Sequence, residues 1–110
     1  MNLKSEIQNK FTIIHLEGRM DVHYVQNIEE EYLSLINNVG TSNLIINLEK
    51  VDFISSSALR IFVTTLKYCK ERKIRLILTG VRNPVKKIFE LVEMNSMFEI
   101  SESLKTAMLI

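Results

Sequence analysis

The sequence predicts a single α/β domain: a mixed, mostly parallel sheet of about five strands packed with about four helices. Three observations predict it. Short apolar runs such as Leu44-Ile45-Ile46 and Leu76-Ile77-Leu78 alternate with longer segments whose apolar residues recur in steps of three and four. Helix-length segments between strands imply βαβ crossovers, and therefore parallel pairing. Finally, the 3 glycines and 1 proline stand between segments as punctuation and form no linker.

In chain order, "KSEIQNKF" and "FTIIHLEG" read as two short strands with a tight polar turn near Gln8-Asn9-Lys10, the second closing at Gly18. Asp21 sits where a helix N-cap is wanted, ahead of Val22, Val25, Ile28 or Glu29, Tyr32, Leu35, Ile36 and Val39 on one stripe; Glu29, Glu30 and Glu31 form the wet side, and Asn38-Val39-Gly40 ends the helix. "NLIINLEKVDFI" is a strand buried on both faces with an irregular end around Glu49-Lys50. After three serines comes a helix, "ALRIFVTTLKYCKERK", with Leu59, Phe62, Val63, Leu66 and Cys69 as its core face. "IRLILTG" is another buried strand. Asn83-Pro84 starts a further helix, with Asn83 as the capping side chain and Val85, Ile88, Phe89 and Val92 turned inward. "SMFEI" reads as a last strand and "SESLKTAMLI" as a terminal helix opened by a Ser-x-x-Leu cap.

The 110 residues suit one domain, spanning 1–110, with 46% hydrophobic and 25% charged residues. A formal net charge of +1 with mixed signs argues against a nucleic-acid binder, which carries a clustered basic excess. Cys69 is alone, so no internal disulfide is expected. The N-terminal "MNLKSEIQNKF" lacks a signal-peptide core, and no apolar run approaches the roughly 20 residues that cross a bilayer, which points to a cytoplasmic protein without membrane contact.

Signatures of enzymes are missing: no Gly-x-Gly-x-x-Gly, no phosphate-binding Gly-Lys-Ser/Thr loop and no Gly-x-Ser-x-Gly elbow. His15 and His23 with one cysteine make poor zinc ligands, since such a site wants three or four convergent donors. His15 reads as a structural imidazole, Cys69 as a small core residue, and Lys67, Lys70, Arg72 and Lys73 as complements to a helix C-terminus. Neither a catalytic role nor a cofactor is expected.

The junction "VDFISSSALRIF", residues 51–62, stands apart. A helix that starts at the carboxyl end of a buried strand offers free backbone N–H groups and the positive end of its dipole, where α/β sheets place their sites. Capping needs only one hydroxyl, and Ser-Ser-Ser-Ala leaves the backbone accessible. Ile61, Thr65 and Tyr68 add a second stripe beside the core face, which is either buried or turned to a partner.

The run Asn47-Leu48-Glu49-Lys50-Val51-Asp52-Phe53-Ile54-Ser55-Ser56-Ser57-Ala58-Leu59-Arg60, with Gly18-Arg19-Met20-Asp21 upstream and Val85 to Leu91 downstream, resembles the STAS domain of bacterial anti-sigma-factor antagonists over essentially the whole chain. The resemblance implies that Ser56 is the phosphoacceptor, with Ser57 or Ser55 as lesser candidates; Ser55 stands at the Asp-or-Ser position and Ser57 helps start the helix. Many phosphorylated members carry Asp where Ser55 stands and Gly where Ala58 stands; the acid often seen at Arg19 is absent here, while Asp21 is retained.

Partner switching is what the resemblance implies. The unmodified chain, as a monomer or weak dimer, would dock on an anti-sigma factor that is also a serine kinase, through Asp21, Ile54, Ser55, Ser56, Ser57, Ala58, Arg60, Ile61, Thr65 and Tyr68. Phosphorylation at Ser56 would end the complex and a serine phosphatase would restore it, controlling sigma-factor-dependent transcription. A constitutive scaffold of the same fold is an alternative. A nucleotide-binding domain is a third reading, against which stands the missing glycine-rich cradle.

Overall fold

Strand β1 (Lys4–Gln8) and strand β2 (Phe11–Met20) form the opening hairpin, pairing antiparallel from Lys4↔His15 to Gln8↔Phe11. The two-residue turn works because Asn9 takes a φ of 55°, a region asparagine tolerates better than most residues. The computed structural model describes residues 3–40 and 42–109. The chain continues through α1 (Val22–Asn37), β3 (Asn43–Ile54), α2 (Ser56–Glu71), β4 (Leu76–Thr79), α3 (Asn83–Leu91), β5 (Glu99–Ser101) and α4 (Leu104–Met108).

The sheet has five strands in the order β1-β2-β3-β4-β5, and every pair after the hairpin is parallel. Because each crossover joins neighbours in sequence order, the preferred right-handed connection sends α1, α2 and α3 to the same face. Strand alternation then sorts the core. Ile14, Leu16, Leu44, Ile46, Leu48 and Leu78 pack against the three helices, together with Val25, Ile28, Tyr32, Phe62, Val85 and Phe89. On the opposite face, Phe11, Ile13, Ile45 and Ile77 meet Ala107 of the short α4. Leu44, Ile45, Ile46, Asn47 and Leu48 are all buried, as expected of a central strand.

Several boundaries differ from the sequence reading. β2 does not close at Gly18 but runs on to Met20. Gly18 takes a φ of 81° beside a register shift, so the strand bends there and continues. β3 carries an extra residue against β2 at two places, between the pairs His15↔Asn47 and Glu17↔Lys50 and again between Gly18↔Val51 and Arg19↔Phe53. This is the irregular end foreseen at Glu49-Lys50.

Asn83 does not cap α3: it is already helical, Arg82 holds the N-cap position, and no side-chain bond closes the turn. Pro84 lacks an N–H, which leaves less to be capped. α4 is capped by Ser103, whose hydroxyl accepts from Thr106 N at 3.2 Å, and not by Ser101, which belongs to β5. The helix ends at Met108, and Ile110 of the foreseen segment lies outside the described residues. Val22 and Val92, assigned to inner faces, are each 45% exposed because they stand at helix ends, beyond the reach of the sheet.

Candidate functional site

Two helix starts lie side by side at the carboxyl ends of β2 and β3. Asp21, extended at ψ −179°, caps α1: its Oδ1 accepts from Tyr24 N at 2.9 Å. Ser55 caps α2 in the same way, its Oγ accepting from Ala58 N at 3.3 Å. The two caps are tied together by a backbone bond from Ser55 N to Met20 O at 3.0 Å, which extends the β2–β3 ladder to the first residue of the turn. The positive ends of two helix dipoles and their caps are therefore neighbours.

The three serines have separate tasks. Ser55 makes the cap bond, and Ser57, expected to help start the helix, lies in its first turn. A carboxylate at position 55 would cap as well as a hydroxyl does, so serine keeps the bond and drops the charge. Ser56, the first helical residue, is exposed, while Ser57 is half-buried. Arg60, one turn further and also exposed, places Nη1 3.7 Å from Glu29 Oε2 on α1. Beside the turn, the Arg19 guanidinium stacks on the Phe53 ring at 4.3 Å.

Of the residues expected to meet a partner, Ser56 and Arg60 are exposed and Asp21, Ser55 and Ser57 are half-buried around them. Ile54, Ala58, Ile61 and Thr65 are buried at 0–3% exposure, so their side chains are core and not docking surface. The reason is a rotation of α2. Its buried stripe is Ala58, Ile61, Phe62, Thr65 and Cys69: Phe62 and Cys69 are inward as the sequence suggested, while Ala58, Ile61 and Thr65 take the inner places of Leu59, Val63 and Leu66, which sit at the flank half-buried.

A buried hydroxyl pair accompanies that rotation. Thr65 donates to Ile61 O at 2.8 Å, which leaves Tyr32 to donate to Thr65 Oγ1 at 2.7 Å. Burial pushes the Tyr32 hydroxyl far up from its ordinary pKa, and the Thr65 bond only partly opposes it. Tyr68 lies twelve residues along α2 from Ser56, about 18 Å by the helical rise. It is stacked under Arg72 at 4.4 Å and does not gather with the others.

A row of polar side chains on the α4 face went unrecognised in the sequence. Asn47, 3% exposed, accepts at Oδ1 from Glu49 N (3.2 Å) and Thr79 Oγ1 (3.3 Å). Its Nδ2 therefore faces His15 Nδ1 at 3.0 Å, and His15 Nε2 meets Glu6 Oε1 at 3.1 Å. Both ring nitrogens of His15 are committed to structure, as its mid-strand position suggested. Only a buried asparagine within an apolar run hinted at this row. Burial pushes the Cys69 thiol up to about 11, away from reactive thiolate chemistry. Among the described residues no group of three or more His, Cys, Asp or Glu is placed to hold a metal ion, and no helix is long and apolar enough to cross a membrane.

The STAS domain family model matches residues 2–107. The chain belongs to the STAS family. Among curated relatives, an anti-sigma-B factor antagonist of Staphylococcus aureus (strain NCTC 8325 / PS 47) is 29% identical over 102 residues, covering 93% of this chain and 94% of the relative. The STAS fold is matched by the crystal structure of a candidate anti-sigma factor antagonist from Thermotoga maritima, with a TM-score of 0.87 at 16% identity, covering 97% of this chain and 92% of that one. It is also matched by the Bacillus cell fate determinant SpoIIAA in its phosphorylated form, with a TM-score of 0.71 at 19% identity, covering 97% and 96%. At these identities the two structures speak to the fold.

Proposed function

We propose that this STAS domain is a cytoplasmic anti-sigma-factor antagonist, a binding protein and not an enzyme, whose docking on an anti-sigma factor with serine kinase activity is switched off by phosphorylation at Ser56. The observation that carries the reading is the division of labour at the α2 start: Ser55 caps, so the exposed Ser56 hydroxyl is left to a partner. The S. aureus relative supports the antagonist role, and SpoIIAA, known in a phosphorylated form, supports a phosphate on a domain of this fold. The docking face comprises Asp21, Ser55, Ser56, Ser57 and Arg60.

In the switching step, Ser56 Oγ takes the γ-phosphoryl group of ATP; ADP leaves, and the hydroxyl proton passes to a base on the kinase. Phosphate at the first position of a helix is favoured by the dipole, so modification leaves the fold intact. Its effect falls on the complex, because nearly two added charges must be desolvated in the contact, at a cost of several kcal/mol when unpaired. A serine phosphatase reverses the step.

The test is incubation with the organism's anti-sigma-factor kinase and ATP, with phosphate mapped by mass spectrometry. Phosphate on Ser56 is expected; its absence from Ser55, Ser56 and Ser57 defeats the switch. In a binding titration Ser56→Asp should weaken the complex at least tenfold, about 1.4 kcal/mol, while Ser56→Ala preserves it. Equal affinities would favour a constitutive scaffold.

A further inference from the structure

Ser56 and Arg60 are four residues apart on the exposed side of α2, so a phosphate on Ser56 would have a cation within reach. Residues at this spacing are neighbours, with Cβ atoms about 5–6 Å apart, and an acid placed N-terminal to its base is the better orientation. In the unmodified chain the Arg60 guanidinium reaches across to α1, where Nη1 stands 3.7 Å from Glu29 Oε2 with the Arg60 side chain 64% exposed. That separation is well beyond the roughly 2.7–2.9 Å of a charge-assisted hydrogen bond, and solvated pairs of this kind hold their partners weakly. A phosphoserine brings nearly two charges and three acceptor oxygens, against one charge on Glu29. It also stands at the positive end of the α2 dipole. The Asp21 carboxylate at the neighbouring helix start already accepts from Tyr24 N, and its charge makes a cation beside the phosphate more necessary.

Resting on the phosphorylation reading above, we propose that phosphorylated Ser56 draws Arg60 away from Glu29 and keeps it as the phosphate's own counter-cation. Modification then acts twice on the docking face: it adds negative charge and withdraws the cation that the unmodified face offers a partner. It also opens the Arg60–Glu29 contact between α1 and α2 and leaves the buried Tyr32–Thr65 pair between the same helices in place. Arg60 is here a regulatory residue and touches no reacting atom.

The experiment removes the kinase from the question. Phosphoserine is installed at position 56 of the full chain by genetic-code expansion, in wild-type and Arg60→Gln backgrounds, with amide spectra verifying the fold of each. Phosphorus NMR titration reads the second ionisation of the phosphate, ordinarily about 6. It should fall at least about half a unit lower with Arg60 than with glutamine, a threefold difference in proton affinity. The Arg60 Nε–H resonance should move downfield on phosphorylation. Equal phosphate titrations in the two backgrounds, or an unmoved Arg60 resonance, overturn the proposal. Failure of any kinase to modify Ser56 would instead defeat the functional reading and leave this measurement untouched.

Discussion

The first βαβ unit, β2-α1-β3, and the last, β4-α3-β5, follow the same chain order and are fastened differently. Strands of ten and twelve residues frame the first; four and three residues frame the last. The helices that start beside the first unit are capped by Asp21 and Ser55, whose turns are joined through Ser55 N and Met20 O. α3 starts on Arg82 with no side-chain bond and ends in the exposed Leu91 and Val92. The lesson concerns presentation. A cap on one residue fixes the backbone and frees the next side chain, so Ser56 can be both rigidly placed and available. The last unit has no such pairing and serves the sheet.

The largest test of this contrast falls on the turn that leaves β4. Gly80 has a φ of 67°, and a Cβ there would stand 2.7 Å from Glu49 Cβ and 2.9 Å from its Cα. A positive φ and a collision with backbone that cannot swing aside together predict a loss of about 2–3 kcal/mol for Gly80→Ala. Urea denaturation measures it. A loss below about 0.5 kcal/mol would mean that this turn relaxes freely, and the last unit would be looser than its packing suggests.

Next in size is the comparison of helix starts. Ser55→Ala removes the bond to Ala58 N and should cost about 1 kcal/mol. Arg82→Ala removes no cap and should fall within about 0.5 kcal/mol of wild type. Ser55→Asp keeps an acceptor and should fold as well as serine. If the two alanine variants lose equal stability, the division between a capped and an uncapped start is broken, and with it the reason why Ser56 is free.

Much of this architecture was readable because it rests on local rules. The order of strands and helices, the Asn9 turn and the Asp21 cap depend on neighbours in sequence, and each appears as the residues suggested. The family was legible from the run Asn47 to Arg60 with its flanking blocks, and the likeness to STAS proteins extends over residues 2–107. What could not be read was rotation and partnership in space. Whether Leu59 or Ala58 heads the buried stripe of α2 is decided by Tyr32 on another helix, 33 residues away from Thr65. A threonine looks like a surface residue until its hydroxyl finds a buried partner. Asn47 likewise became intelligible only once β2 and β4 placed His15 and Thr79 on either side of it. That Ser55 and not a neighbouring serine makes the cap bond depends on where the strand lets go.

The smallest expected effect sharpens the comparison at its far edge. β5 is short, and where it begins Arg75 Nε donates to Glu99 Oε1 at 2.7 Å, with the guanidinium's Nη2 on the second carboxylate oxygen. This bond to Arg75 holds the Glu99 carboxyl below the ordinary carboxylate range, and the same bond raises Arg75. A folded pKa below the unfolded one means that the pair stabilises the native state above the ordinary carboxylate pKa. That contribution fades as pH falls through the ordinary range and is gone below the lower folded value. Solvent screening at this exposed edge keeps it under about 1 kcal/mol. Glu6, lowered by its bond to His15, shares the direction and remains in both proteins being compared. Between pH 6 and pH 3, wild type should therefore lose more of its urea midpoint than Glu99→Gln does. Identical losses would show that the ion pair does not fasten the last strand, and that β5 is held by its three backbone pairings with β4 and by Phe98 packed against Phe89.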